Sequence, residues 1–256
     1  MRRFSVLILT LLYMFQPSLE AATRVITVDE PPSAYVTEDG SVEGYVVDIV
    51  RAMHAYMGKE LALEVLPEAR ALKTALVNDN VAIFSFTKTA ERDKELQWIG
   101  PVMEKSWYVI TRSDSYFDSN NLEDFNSIGV VRGDIRATWV EQQGLTNYKL
   151  ASSHQQNLRF LEKGRVDAIV YNLSGARILS KELGIAEGSF KNTAFIKTSP
   201  VYIGLSKHFD DYALWQQAFE AISNNGELDN INAYWLDKLI GEGVLSHLGD
   251  SVLSID

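Results

Sequence analysis

The sequence predicts an α/β fold with mainly parallel sheets arranged in two similar lobes, and three observations predict it. Short apolar runs alternate along the chain with stretches whose apolar residues recur at helical spacing. Several helical stretches stop at a glycine, namely Gly58, Gly144, Gly164 and Gly184. Leu76–Phe86 (LVNDNVAIFSF) is echoed by Leu161–Tyr171 (LEKGRVDAIVY), each reading as helix end, tight turn and apolar strand.

The elements follow in order. Arg24–Asp29 alternates as a strand, and Glu38-Asp39-Gly40 is a turn. Gly44 to Met57 places Val46, Val47, Ile49, Val50, Met53 and Met57 on one helical face. Leu61–Leu66 is a strand, Ala69–Val77 a helix, Val81–Phe86 a buried strand and Trp107–Thr111 another strand. The second series gives a strand at Ile128–Val131, a helix at Ile135–Gln143, a helix over Leu158–Lys163, a strand at Asp167–Tyr171 and a helix at Ser174–Leu183. Val201–Leu205 is a strand, and helices at Tyr212–Ser223 and Leu228–Leu239 finish the chain. The stripe Tyr212, Trp215, Phe219 and Ile222 reads as core.

The N-terminus carries Arg2 and Arg3 ahead of a non-charged run from Phe4 to Leu19. Its most apolar part, Phe4–Phe15, is shorter than the roughly 20 residues of a membrane span. With small residues at Ala21 and Ala22, residues 1–22 read as a cleaved secretory signal peptide. Removing them leaves 22 basic and 33 acidic residues, a net charge of −11. That charge opposes a nucleic-acid backbone, so no nucleic-acid partner is expected. The absence of cysteine excludes disulfides, thiolate metal sites and a lipid-modified cysteine. An exported, cysteine-free chain points to the periplasm. The four histidines are scattered without metal-ligand spacing, and no nucleophile elbow or phosphate loop occurs, so no metal, cofactor or catalytic group is expected.

Thr87–Pro101 (TKTAERDKELQWIGP) carries most of the functional signal. It leaves the buried strand and reads as opening a helix at Thr89, with Glu91 in the first turn and Arg92 beside it. An arginine fork near a helix N-terminus can seat an anion. The competing reading pairs Arg92 with Asp93 or Glu95 at the surface.

Five segments in order carry a family resemblance: EDGSVEGYVVDIVRAM (38–53), TKTAERDKELQWIGPV (87–102), IGVVRGDI (128–135), GRVDAIVYN (164–172) and WQQAFEAISNNGELDNINAYWL (215–236). Together they resemble the family 3 solute-binding proteins, the periplasmic polar-amino-acid binders of ABC transporters. The resemblance implies a two-lobed venus-flytrap fold of type II, each lobe a mainly parallel sheet flanked by helices, joined by two crossover strands. Lobe 1 would span 23–108 plus 204–256 and lobe 2 111–200, with hinges near 107–111 and 201–205. A monomer is expected, closing over a small carboxylated solute and meeting an ABC permease or a membrane sensor.

Carried over by position, the resemblance makes Arg92 the grip on the ligand carboxylate, with Thr87 and Ser85 beside it. Gly133, Asp134 and Ile135 match the second-lobe loop that also meets the carboxylate. Asn172 stands where amino-acid binders carry the aspartate that pairs the ligand ammonium. Tyr35 and Trp107 are candidate cleft aromatics, and Arg70 adds an arginine near a clamp position. Asp134, in place of a usual threonine, could supply the negative charge that Asn172 lacks, but two cleft arginines with no conventional ammonium partner favour a ligand richer in acid than in amine. Competing structural roles stand beside these: Asp134 and Asn172 as helix caps, Arg70 as a solvated helix-start residue, Tyr35 and Trp107 as core. Periplasmic cyclohexadienyl dehydratases also resemble this family, but Asn172-Leu173-Ser174 offers no acid at the second-lobe strand exit.

Overall fold

A computed structural model describes residues 23–116, 121–244 and 254–255. The expected signal peptide lies outside these residues. Among them, no helix is long and apolar enough to cross a membrane.

Two units of the same topology lie at the two ends of one sheet. The first runs β1 (Arg24–Thr27), α1 (Tyr45–Met57), β4 (Leu63–Val65), α2 (Glu68–Val77) and β5 (Val81–Thr87). The small hairpin β2 (Tyr35–Val36) and β3 (Val42–Glu43) interrupts it. β1 lies between β4 and β5, parallel to both. The second runs β7 (Ile128–Val131), α3 (Ile135–Gln142), β8 (Tyr148–Ala151), α4 (His154–Glu162), β9 (Ala168–Tyr171) and α5 (Leu173–Glu182). Here β7 lies between β8 and β9, again parallel to both. The echo noted in the sequence therefore falls on equivalent strands, β5 and β9.

Two 17-residue strands, β6 (Leu96–Arg112) and β10 (Phe190–Ser206), run antiparallel to each other between the units. β5 pairs with β10, and β9 pairs with β6. The expected Trp107–Thr111 and Val201–Leu205 are thus fragments of much longer crossovers. The outer part of β10, Phe190–Thr198, is polar, half-buried to exposed sequence and lacks the apolar run that marks a buried strand. The chain ends with α6 (Tyr212–Asn224) and α7 (Glu227–Gly241), and Ser254–Ile255 adds a short parallel edge to β6.

The core explains the sequence pattern. β5 is buried on both faces: Ala82 and Phe84 pack with α1 and α6, while Val81 and Ile83 pack with Ala71 and Ala75 of α2. In the second unit, Ala168 and Val170 face one cluster and Ile169 and Tyr171 another. Strands covered by helices on both faces read as continuous apolar runs.

Candidate functional site

Parallel strands in both units point their carboxyl ends at the seam between them, where open α/β sheets place ligands. From the first unit come Glu30 after β1, Glu68 after β4, and Ser85 and Thr87 at the end of β5. From the second come Gly133, Asp134 and Arg136 after β7, His154 after β8, and Asn172 after β9. The crossover β6 adds Lys105 and Trp107. Glu30, Glu68, Ser85, Thr87, Lys105, Trp107, Ile135, Arg136 and Val201 enclose a cavity of about 10 Å³, room for roughly one water.

The seam is filled by the chain's own charges. The Arg136 side chain is 3% exposed. Its Nε donates to Asp134 Oδ1 at 2.9 Å and Oδ2 at 2.8 Å, and its Nη2 donates to Glu30 Oε1 at 2.6 Å. The guanidinium carbon lies 5.0 Å from the Tyr171 ring centre and 6.0 Å from that of Trp107. Glu30 also holds Lys105 Nζ at 2.7 Å. Burial alone would raise the Glu30 carboxyl pKa, but Arg136 and Lys105 hold it well below the usual carboxylate range.

Glu68 and His154 face each other across the seam, Oε2 to Nε2 at 3.8 Å, and Asp134 Oδ2 lies 3.6 Å from the same ring nitrogen. Burial, reinforced by Asp134 and Glu30, pushes the Glu68 pKa well up. Burial, then Arg136, lowers His154 to about 4. The imidazole stacks on Tyr171 at 4.6 Å and 18°. Glu68, Asp134 and His154 bring one donor atom each within 4.8 Å of one another, a spacing that suits a divalent cation. Both Asp134 oxygens are already engaged by Arg136 Nε, and the guanidinium supplies the local positive charge. The set therefore fits a metal poorly.

The predicted site residues divide. Thr87, Ser85, Ile135 and Trp107 line the cavity. Ser85 sits at φ 78° as the extra residue of a bulge, since Phe86 pairs Tyr202 while Phe84 pairs Ile203. The bulge moves Phe86 onto the face of Val81 and Ile83, and the Ser85 hydroxyl meets that of Ser33 at 2.5 Å.

Arg92 is buried, but not at an α-helix. The expected helix at Thr89 is a turn followed by one 3₁₀ turn, Arg92–Lys94, because the chain must enter β6 at Leu96. Arg92 Nη1 donates to the Thr87 carbonyl at 3.0 Å, and Nη2 to the Gly133 carbonyl across the seam at 3.4 Å. Gly133, at φ 84°, lies so close that a Cβ would fall 2.6 Å from Ala69 Cα. Asp134 and Asn172 both cap helices, accepting from the Arg136 and Gly175 amides at 2.7 and 2.5 Å. Asn172 is fully buried.

Two expected site residues lie apart from this cluster. Arg70 is exposed, because Glu68, Ala71 and Ala75 form the inward stripe of α2 and Arg70 lies on the opposite side. Tyr35 lies outside the cavity lining, packed edge-on against Trp235 at 6.5 Å with its hydroxyl near Glu43. Glu30, Glu68, Lys105, Arg136 and His154 join the seam in addition to the residues expected from the sequence. A separate depression of about 860 Å³ runs along β8, but it is open, and its Arg132, Glu141 and Lys149 are exposed.

Comparison with known proteins agrees with this fold. The model of the bacterial extracellular solute-binding proteins, family 3, matches residues 23–238. The ABC transporter arginine-binding protein 1 of Escherichia coli (strain K12) is 23% identical over 242 residues, covering 88% of this chain and 96% of that protein. Among solved structures, a histidine kinase sensor domain with similarity to periplasmic binding proteins aligns with TM-score 0.75 at 18% identity, over 84% of this chain and 96% of its own. The arginine-, lysine-, histidine-binding protein ArtJ of Geobacillus stearothermophilus aligns with TM-score 0.72 at 19% identity, over 86% of this chain and all of its own. At such identities the structures speak for the fold, and the family model for descent: the chain belongs to the bacterial extracellular solute-binding proteins, family 3.

Proposed function

We propose that this chain is a periplasmic, non-catalytic binding protein that captures a small carboxylated solute between its lobes and presents it to an ABC permease. The lobes would be 23–108 plus 204–256 and 111–200, rocking where β6 and β10 change partners. One observation carries the reading: the balance of charge at the seam. Arg92, Lys105 and Arg136 are cationic there, whereas Glu30 and Asp134 supply two carboxylates and Glu68 is driven toward its neutral form. These buried cations, with the Ser85 and Thr87 hydroxyls beside them, suit an organic acid or the carboxylate of an amino acid. Closure follows because only the closed form gives a ligand contacts from both lobes.

A thermal-shift screen of the purified chain against amino acids, dicarboxylates and aromatic acids tests this. A ligand at 100 times its Kd stabilises by about 2.7 kcal/mol, or roughly 5–11 °C for a protein of this size. Arg92→Ala should abolish the shift while the unliganded variant still melts cooperatively. An unchanged shift would overturn the carboxylate seat. The fold likeness to a histidine kinase sensor domain supports a second reading, in which the liganded chain docks on a membrane sensor. A permease and ATPase encoded beside this chain would favour transport.

A further inference from the structure

The guanidinium of Arg136 is held as a bound ligand would be. It meets a carboxylate from each lobe, Glu30 and Asp134, and two aromatic rings, Trp107 and Tyr171. Planar forks facing carboxylates, with π faces alongside, are how proteins recognise guanidinium groups. With Arg136 in place the closed seam encloses only about 10 Å³. Arg136 also makes the cross-seam ion pair that an external ligand would otherwise supply.

We infer that Arg136 is the resident occupant of a cation receptor between the lobes, and that it sets the ligand class. With Arg136 present the seam accepts small anions and rejects cationic ligands. With it removed, the same walls accept a guanidinium or amidinium cation. The inference rests on the proposed reading that the interlobe seam is the ligand site.

The test is chemical rescue of Arg136→Ala in the purified chain. Truncation leaves Glu30 and Asp134 short of their partner, and melting should fall by roughly 6–20 °C. Millimolar guanidinium or methylguanidinium should restore part of this, about 3–6 °C at ten times Kd, in a saturable way. Urea, the neutral isostere, and sodium chloride at matched ionic strength should not, and the native chain should show no saturable gain. If Arg136→Ala does not fold alone, the titration is run on Arg136→Ala/Glu30→Gln. There the rescue should persist with affinity weakened roughly ten-fold or more, since one charged hydrogen bond is gone.

Equal effects of urea and guanidinium, equal gains in the native chain, or no saturable shift in either variant would overturn the inference. The outcomes separate it from the reading beneath it. Carboxylate binding by the native chain without guanidinium rescue sinks the role of Arg136 alone. Rescue without carboxylate binding leaves Arg136 as occupant and removes the anion reading.

Discussion

Replacing Gly133 by alanine drives a wedge between the lobes at a known point. The added Cβ would lie 2.6 Å from both Cα and N of Ala69 and 2.7 Å from its Cβ. Backbone atoms cannot swing aside as the end of a side chain can, so the β7–α3 loop or the whole lobe must move. Gly133 also has φ 84°, where any L residue is strained. Gly40 supplies the control, because it has the same φ and nothing within 4 Å of its added Cβ.

Gly40→Ala should therefore cost only the left-handed strain, about 1–2 kcal/mol. Gly133→Ala should cost that plus overpacking of about 1–3 kcal/mol. If the lobes separate instead, the second cost is capped by the hydrogen bonds that bridge the seam and break on opening. These include Arg136 to Glu30 at 2.6 Å, Arg92 to the Gly133 carbonyl at 3.4 Å, Gln155 to Asp29 at 2.5 Å and Arg177 to the Val244 carbonyl at 2.5 Å. Urea denaturation of both variants, with small-angle scattering of the native-state radius, reads the two alternatives. Gly133→Ala should be less stable than Gly40→Ala by more than about 0.5 kcal/mol, or visibly more extended. Equal stability with unchanged scattering would show that the lobes do not meet at Ala69.

Other outcomes follow from the same network. Glu30→Gln leaves Lys105 and Arg136 buried without their shared carboxylate, and should cost about 3–5 kcal/mol in urea denaturation. A cost below about 1 kcal/mol would mean that water reaches the pair. His154 stays neutral in the fold to about pH 4 but protonates near 6.5 when unfolded, so its contribution is lost as pH falls between those values, up to about 3 kcal/mol. Glu68 acts oppositely: its raised pKa costs stability as pH rises above its unfolded value near 4.5. In urea midpoints at pH 7, 6 and 5, His154→Gln should flatten the acid loss and Glu68→Gln should steepen it. The reverse order would show that neither group is buried as described.

The sequence displays elements where burial is two-sided or helical stripes are regular, and hides them elsewhere. β5 and β9 are legible because helices cover both faces. The outer part of β10 is not, since half-buried alternation of Phe, Lys, Asn and Thr resembles a polar loop. Helix phase could have found Glu68, which shares the stripe of Ala71 and Ala75 and so must turn inward when Arg70 turns out. No local signal marks Arg136. Its partner Glu30 is 106 residues away, and two residues into a helix an arginine reads as solvated surface. Asp134 was legible as a cap but not as the carboxylate that fixes Arg136.

Asn172 and Arg136 make sense together. Where amino-acid binders of this resemblance carry an aspartate for the ligand ammonium, this chain has a neutral amide, fully buried and spent on capping α5. The second lobe keeps one buried carboxylate at the seam, Asp134, and Arg136 Nε takes both of its oxygens. An aspartate at 172 would be a further buried carboxylate, whose ionised form burial disfavours. An ammonium entering the seam competes with Arg136 for Glu30 and Asp134 and otherwise has Glu68 to pair with, whereas an anion meets cations already in place. If an Arg136-latched state is favoured by about 1.4 kcal/mol, the affinity of any ligand that must displace the latch falls about ten-fold. Ligands that leave the latch intact escape that loss, an asymmetry that under the proposed reading would favour acids over amines.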